Sequence, residues 1–123
     1  MLILSKYMVK NELKPLLKHV SLDDIVVGAR KVKDGLGIRL QALNSPQYRF
    51  FKVRIGTMAK ARMIVFMLSG SGKIVPVLIR LKKDKKFGMN MAANNPAVVE
   101  QVDRNLSHII LDLERGDYEE IKF

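Results

Sequence analysis

Cysteine is absent from this chain of 123 residues, and histidine occurs only twice. Without cysteine the protein forms no disulfide and offers no thiolate ligand to a metal, and such a composition is typical of cytoplasmic proteins. His19 and His108 lie on separate predicted segments, so we expect no zinc site. The sequence therefore predicts a cytoplasmic protein that needs neither a metal nor a small-molecule cofactor.

Long apolar runs are also absent. The longest uninterrupted one covers residues 63–68, whereas a membrane-spanning helix needs about 20 apolar residues. Residues 1–4 are apolar but shorter than the roughly 7–15 residues of a signal-peptide core. Because 48% of the residues are apolar, the chain can form a real core. We expect one domain over residues 1–123 and no membrane partner.

Negative charge is scarce in the middle third of the chain. Residues 47–90 contain eleven Lys or Arg residues and a single acidic residue, Asp84, within a chain of net charge +10. A basic block of this kind attracts a polyanion, which could be nucleic acid, an anionic membrane or an acidic protein segment. The alternative interpretation is a basic surface that is simply solvated.

Helical patterns lie at the two ends of the sequence. Apolar residues recur at spacings of three and four within residues 5–20, which predicts a helix there. Ser21 is a suitable N-cap for a second helix, which ends near Gly35. Asn95 and Pro96 are typical of a third helix start, and its apolar stripe continues until Gly116.

Strand patterns occupy the middle of the sequence. Residues 38–43, 48–55, 62–68 and 74–82 are rich in β-branched and aromatic residues and are separated by turn residues. Residues 118–123 suggest a short edge strand. We predict an α+β domain with N-terminal helices, an antiparallel meander of three to five strands, and a long C-terminal helix packed on one sheet face. Val75, Val77, Ile79 and Leu81 should form one buried row beneath the helices.

Strand alternation gathers basic side chains on the other sheet face, which we expect to be free. Lys52 and Arg54 share a face of their strand, and Arg62, Arg80 and Lys82 fit the same face on the next two strands. Like charges on neighbouring strands repel one another unless an anion lies between them. The pattern therefore favours an anion site, and the alternative is that these side chains point into water.

A lysine run at the end of the last central strand extends this basic surface. Phe87 follows the run and either stacks on a nucleobase or belongs to the core. We expect this segment and the preceding turn to bind a phosphate backbone. The predicted RNA-binding residues are Lys60, Lys82, Lys83, Lys85, Lys86 and Phe87.

Three stretches resemble the RelE/ParE superfamily of toxins from toxin–antitoxin modules, closest to its RelE and HigB branch. They are residues 51–56 (Phe-Lys-Val-Arg-Ile-Gly), residues 60–66 (Lys-Ala-Arg-Met-Ile-Val-Phe), and residues 79–85 together with Asn90. The resemblance implies a RelE-like fold and a metal-independent endoribonuclease that cleaves mRNA at the ribosome. It also implies a cognate acidic antitoxin as partner.

The sequence departs from the family pattern at two points. Lys60 and Ala61 replace the family's Gly-Gly pair, and no Tyr or His stands near the end of the last central strand. Two other functions therefore remain open: a ParE-like inhibitor of DNA gyrase, and a basic nucleic-acid-binding protein without catalysis.

If the chain cleaves RNA, the basic block itself must supply the catalytic residues. The block contains no His or Glu, so Lys52 is the predicted general base, and its like-charged neighbours should lower its pKa. Arg54, Arg62 and Arg80 complete the predicted catalytic set, in which arginine stabilises phosphate charge. Lys82, Lys83 or Lys85 would position the RNA backbone or supply the acid.

Overall fold

A computed structural model describes residues 1–41, 47–68, 70–87, 91 and 95–123. These residues include three helices and six strands, with short π-helical and 3-10 turns at Val9–Leu13, Lys14–Leu16 and Thr57–Ala59. In chain order they are β1 (Leu2–Ser5), α1 (Lys6–Met8), α2 (Leu22–Lys33), β2 (Ile38–Arg39), β3 (Tyr48–Ile55), β4 (Ala61–Leu68), β5 (Ile74–Leu81), α3 (Pro96–Arg115) and β6 (Tyr118–Ile121).

The six strands form one sheet in the order β2-β3-β4-β5-β1-β6. Every pairing is antiparallel except that of β1 with β5. Helix α3 begins at the N-cap Asn95 and ends at Gly116, which adopts the left-handed conformation. The predicted α+β class and the packing of the C-terminal helix on the sheet are confirmed.

The N-terminal segment differs from the single helix predicted over residues 5–20. Leu2–Ser5 is a strand between β5 and β6, and only short helical turns follow it. All four strand residues are buried, as is typical of a strand covered on both faces. Pro15 lies in the 3-10 turn, where it removes a backbone donor that a continuous α-helix would need.

Strand β2 is shorter than predicted. Among the described residues it covers Ile38–Arg39 and pairs with Lys52 and Phe51 of β3, while residues 42–43 of the predicted strand lie outside the described part of the chain. Along the described residues, no strand pairs with residues 53–55 of β3 on the side away from β4. This end of the sheet is therefore open.

A β-bulge changes which residues of β5 share a face. The pairing between β4 and β5 shifts by one residue, so that Val75 lies opposite Phe66 whereas Leu78 lies opposite Ile64. Val75 and Leu78 therefore share a face, although strict alternation placed them on opposite faces. The burial predicted for Val75, Val77 and Ile79 is confirmed. The prediction that they share one face with Leu81 is wrong, and Leu81 is only half-buried.

Both faces of the sheet are packed against helices, and the prediction of one free face is wrong. A Cβ atom on Gly28 of α2 would lie 2.9 Å from Met63 Cε, so α2 packs closely on the face that holds Met63. Leu113 of α3 lines a small cavity with Leu68 and Val75, which lie on the opposite face. The basic residues therefore occupy one open end of a covered face.

Candidate functional site

A cavity of about 470 Å³ lies at the open end of the sheet, between β3 and the C-terminal half of α2. Its described lining contains four basic side chains and no carboxylate. The lining residues are Lys31, Leu36, Ile38, Lys52, Val53, Arg54 and Arg62. Such a concentration of one charge attracts an anion.

The pairing of β3 with β4 brings three of these cations together. Arg54 lies directly opposite Arg62, and Lys52 precedes Arg54 by two residues on the same face. Like charges placed directly opposite one another destabilise a sheet by a few tenths of a kcal/mol up to about 1 kcal/mol. The fold thus holds charges together that repel one another in the absence of an anion.

Arg62 is buried without a carboxylate partner in the described part of the chain. Only 5% of the residue is exposed. Its Nη1 donates hydrogen bonds to the carbonyl oxygens of Ala59 (2.6 Å) and Ala61 (3.2 Å), and the salt bridges found among the described residues do not involve it. Burial, and secondarily the charge of Arg54, lower its pKa, but a guanidinium remains protonated.

The pKa of Lys52 is lowered from its ordinary value of 10.5. Burial is the largest cause, followed by the positive charges of Arg62 and Arg54. The sequence predicted the direction from the like charges alone. Desolvation is the stronger effect because partial burial disfavours the ammonium form whatever its neighbours are.

Lys31 is a cavity residue that sequence reasoning missed. It belongs to the basic last turn of α2 together with Arg30 and Lys33. The sequence carried no clear signal for it, because Gly28, three residues earlier, packs on the sheet face of Val53 and Met63, opposite to that of Arg54 and Arg62. The sequence also did not show that α2 packs beside the open end of β3.

Arg80 does not join this cavity, although it pairs with Arg62 in the sheet register. Its guanidinium forms a salt bridge with Glu12, whose side chain is 2% exposed, and also donates to the carbonyl of Ile79. The predicted grouping of Arg80 with the other three catalytic candidates is thus not found. A charge already neutralised by a buried carboxylate is poorly suited to hold a phosphate.

Glu12 belongs to a buried polar network at the edge of β5. One carboxylate oxygen also accepts from the backbone N–H of Ile79 (2.8 Å), and the other accepts from Asn105 Nδ2 (3.2 Å). Asn105 Nδ2 also donates to the carbonyl of Val77 (2.8 Å). Burial raises the pKa of Glu12 above 4.5, against the opposing effects of Arg80 and these hydrogen bonds.

Phe87 belongs to the core. It is 4% exposed, and its ring lies 4.7 Å from Cζ of Arg80 and 5.7 Å from Nζ of Lys86. Of the two interpretations of Phe87, a core residue or a stacking partner of a nucleobase, this burial favours the core.

The remaining predicted RNA-binding lysines separate into two groups. Lys60, Lys82 and Lys83 line a second cavity of about 370 Å³. Lys85 and Lys86 are exposed in the following turn and do not belong to its described lining.

Across the described ranges, no group of three His, Cys, Asp or Glu residues could hold a metal ion. None of the helices found there is long and apolar enough to cross a membrane. Comparison with known proteins found no family model, no curated protein and no solved structure that matches this chain.

Proposed function

We propose that this protein binds RNA through the cavity lined by Lys31, Lys52, Arg54 and Arg62, and cleaves it as a toxin of the RelE type. The observation that supports the proposal is a set of four basic side chains around one cavity whose described lining contains no carboxylate. A phosphodiester would relieve the repulsion between Arg54 and Arg62 and supply the anion that Arg62 lacks.

A metal-independent cleavage can be written with these residues. Neutral Lys52 takes the proton of a ribose 2′-hydroxyl, and the 2′-oxygen attacks the adjacent phosphorus. Arg54 and Arg62 stabilise the charge on the phosphorane. The bond to the 5′-oxygen then breaks, the leaving oxygen takes a proton from a protonated lysine or from water, and a 2′,3′-cyclic phosphate remains.

The lowered pKa of Lys52 supports its role as the base. A lysine is a general base only in its neutral form, and a lower pKa increases the neutral fraction near neutral pH. Lys82 and Lys83, which line the second cavity, and the nearby Lys85 are the candidates for backbone contacts or for the acid.

The proposed substrate is mRNA at the ribosome, and the proposed partner is an acidic antitoxin. Both follow from the resemblance to the RelE branch and agree with the net charge of +10. An acidic segment would pair its carboxylates with the cavity cations and so compete with RNA.

A second candidate is a basic nucleic-acid-binding protein without catalysis. It is favoured by the cavity lining, which includes no His, Tyr, Asp or Glu among the described residues. A gyrase-inhibiting toxin of the ParE type is the other alternative, and it needs no cation cluster around a cavity.

The decisive experiment measures cleavage of ribosome-bound mRNA by the wild type and by Lys52→Met. Loss of one general base typically lowers the rate by about 10²–10⁴. Lys73→Met is a matched control, because this lysine lies outside the two basic cavities. Growth arrest with DNA damage and intact mRNA would instead favour gyrase inhibition. RNA binding without cleavage would favour the non-catalytic candidate.

The pH dependence of cleavage gives an independent test of Lys52. Because the base acts in its neutral form, the rate should rise with pH and level off once the pH exceeds the lowered pKa of Lys52, below 10.5. Single-turnover cleavage measured across this range would show the plateau. A rate that does not depend on pH over the same range would exclude Lys52 as the base.

A further inference from the structure

The second cavity combines apolar walls with a basic rim. Met58 and Leu81 supply the walls, and the other described lining residues are His19, Lys60, Lys82 and Lys83. Its volume of about 370 Å³ lies within the range of roughly 300–1,000 Å³ that is usual for small-ligand sites. An apolar floor below cations of one sign fits a ligand that is flat and apolar in one part and anionic in another.

The turn between β3 and β4 holds Met58 in an unusual state. Met58 and Ala59 have φ angles of 57° and 52°, in the left-handed region that non-glycine residues seldom occupy. Met58 is also 93% exposed, so the strained backbone keeps a large apolar side chain in water. Strain of this kind, about 1–3 kcal/mol per residue, is found preferentially at functional sites.

This turn connects the second cavity to the first. The carbonyl of Ala59 accepts the 2.6 Å hydrogen bond from Arg62, which lines the first cavity. Met58 and Lys60, the neighbours of Ala59, line the second cavity. Only Ala61 separates Lys60 of the second lining from Arg62 of the first. Because Leu81 pairs with Ala61 on the sheet face opposite to that of Arg62, a single-stranded ligand that occupies both cavities passes around the start of β4.

We infer that the second cavity binds the nucleobase adjacent to the phosphodiester held in the first, an inference that rests on the proposed function. Met58 and Leu81 contact the face of the base, while Lys60, Lys82 and Lys83 bind the flanking phosphates. An acidic peptide offers a planar group to the floor only where it carries an aromatic residue, whereas every nucleotide of RNA offers a planar base beside a phosphate, so the chemistry favours RNA. Met58 thus takes the place of Phe87 as the base contact.

The test is fluorescence anisotropy with a short 2′-O-methyl RNA, which lacks the 2′-hydroxyl and is not cleaved. A series of oligonucleotides carries one abasic nucleotide at successive positions. For the wild type, the abasic nucleotide should weaken binding about tenfold at one position of the series, the position whose base occupies the second cavity. Met58→Asn should bind the intact RNA about tenfold more weakly, and the abasic nucleotide at that position should weaken its binding no further. Asparagine tolerates the left-handed backbone but removes the apolar side chain.

Two lysine pairs supply the matched control. The double variant Lys82→Ala/Lys83→Ala and the double variant Lys85→Ala/Lys86→Ala remove the same charge from one segment. The first should weaken binding more strongly, because only that pair lines the cavity. Equal losses for the two pairs would indicate unspecific attraction and would overturn the assignment of the rim.

The outcomes separate this inference from the proposed function. If Arg54→Ala weakens RNA binding but neither Met58→Asn nor any abasic position does, the base site is wrong and the phosphate site stands. If the wild type binds no RNA at low salt, both are overturned. If Met58→Asn weakens binding of a poly-glutamate peptide and not of RNA, the cavity accommodates an acidic segment, and the inference is wrong.

Discussion

Arg62 and Arg80 are cross-strand neighbours with opposite surroundings. Arg62 donates only to backbone carbonyls in the described structure and faces Arg54 in the first cavity. Arg80 pairs with Glu12, a residue 68 positions away in the sequence. For Arg62 we propose ligand binding, whereas Arg80 holds the N-terminal segment to β5. The difference lies in whether a carboxylate is brought to the guanidinium by the fold.

The largest expected effect is that substitution of Arg62 lowers activity, whereas substitution of Arg80 lowers stability. Arg62→Gln should lower RNA cleavage by about 10²–10³, as removal of a charge-stabilising donor does elsewhere, while the protein stays folded. Arg80→Gln should retain cleavage per folded molecule but lose about 2–3 kcal/mol of stability, because it leaves Glu12 buried without its ion-pair partner.

Single-turnover kinetics together with urea unfolding measure both quantities on the same preparations. The proposed difference between the two arginines is wrong if Arg80→Gln, under conditions where it is fully folded, cleaves RNA as slowly as Arg62→Gln.

The next largest effect concerns Glu12 itself. Glu12→Ala should reduce the free energy of unfolding by about 3 kcal/mol, because the Arg80 guanidinium and the N–H of Ile79 lose their buried acceptor. Glu12→Gln retains an acceptor oxygen and should lose less. Urea denaturation of both variants provides the measurement, and equal losses would mean that the charge of Glu12, which both variants lack, matters at this site and the acceptor oxygen does not.

A smaller loss is expected at Asn105, which is fully buried in α3. Its amide donates to Val77 and Glu12, and its oxygen accepts from Tyr7 and Gln101. Asn105→Ala should reduce stability by about 2 kcal/mol, since each of these buried groups loses its partner. Gln101→Ala on the same helix is the control, with an expected loss below about 1 kcal/mol. Thermal unfolding should show this order of midpoints.

The smallest effect is a gain in stability at the open end of the sheet. Arg54→Thr removes a charge directly opposite Arg62 and should stabilise the protein by about 0.5 kcal/mol while weakening RNA binding. Arg49→Thr, an exposed position opposite Met67 on the same strand, corrects for the strand propensity of threonine. If the two variants have the same stability, Arg54 and Arg62 do not repel one another measurably.

Much of the architecture could be predicted because it depends on local periodicity. Strand β3 has the predicted bounds, and the cap residues Asn95 and Gly116 delimit α3 as expected. The grouping of Lys52, Arg54 and Arg62 follows from alternation along two strands joined by a short turn. These features need only neighbours in the sequence, so the sequence by itself determined them.

Other features depend on contacts between distant segments, and only the tertiary structure decided them. The bulge in β5 directly follows Pro76, and strands contain proline chiefly at edges and bulges, but only the pairing with β4 showed which residues exchange faces. Arg80 is paired with Glu12 because the N-terminal segment brings that carboxylate to β5, and Phe87 is buried because its ring packs in the core. Lys31 entered the cavity because α2 packs beside the open end of β3. The sequence determines which side chains are charged. Whether such a side chain contacts a carboxylate, a carbonyl or solvent depends on which distant segments the fold brings within a few ångströms.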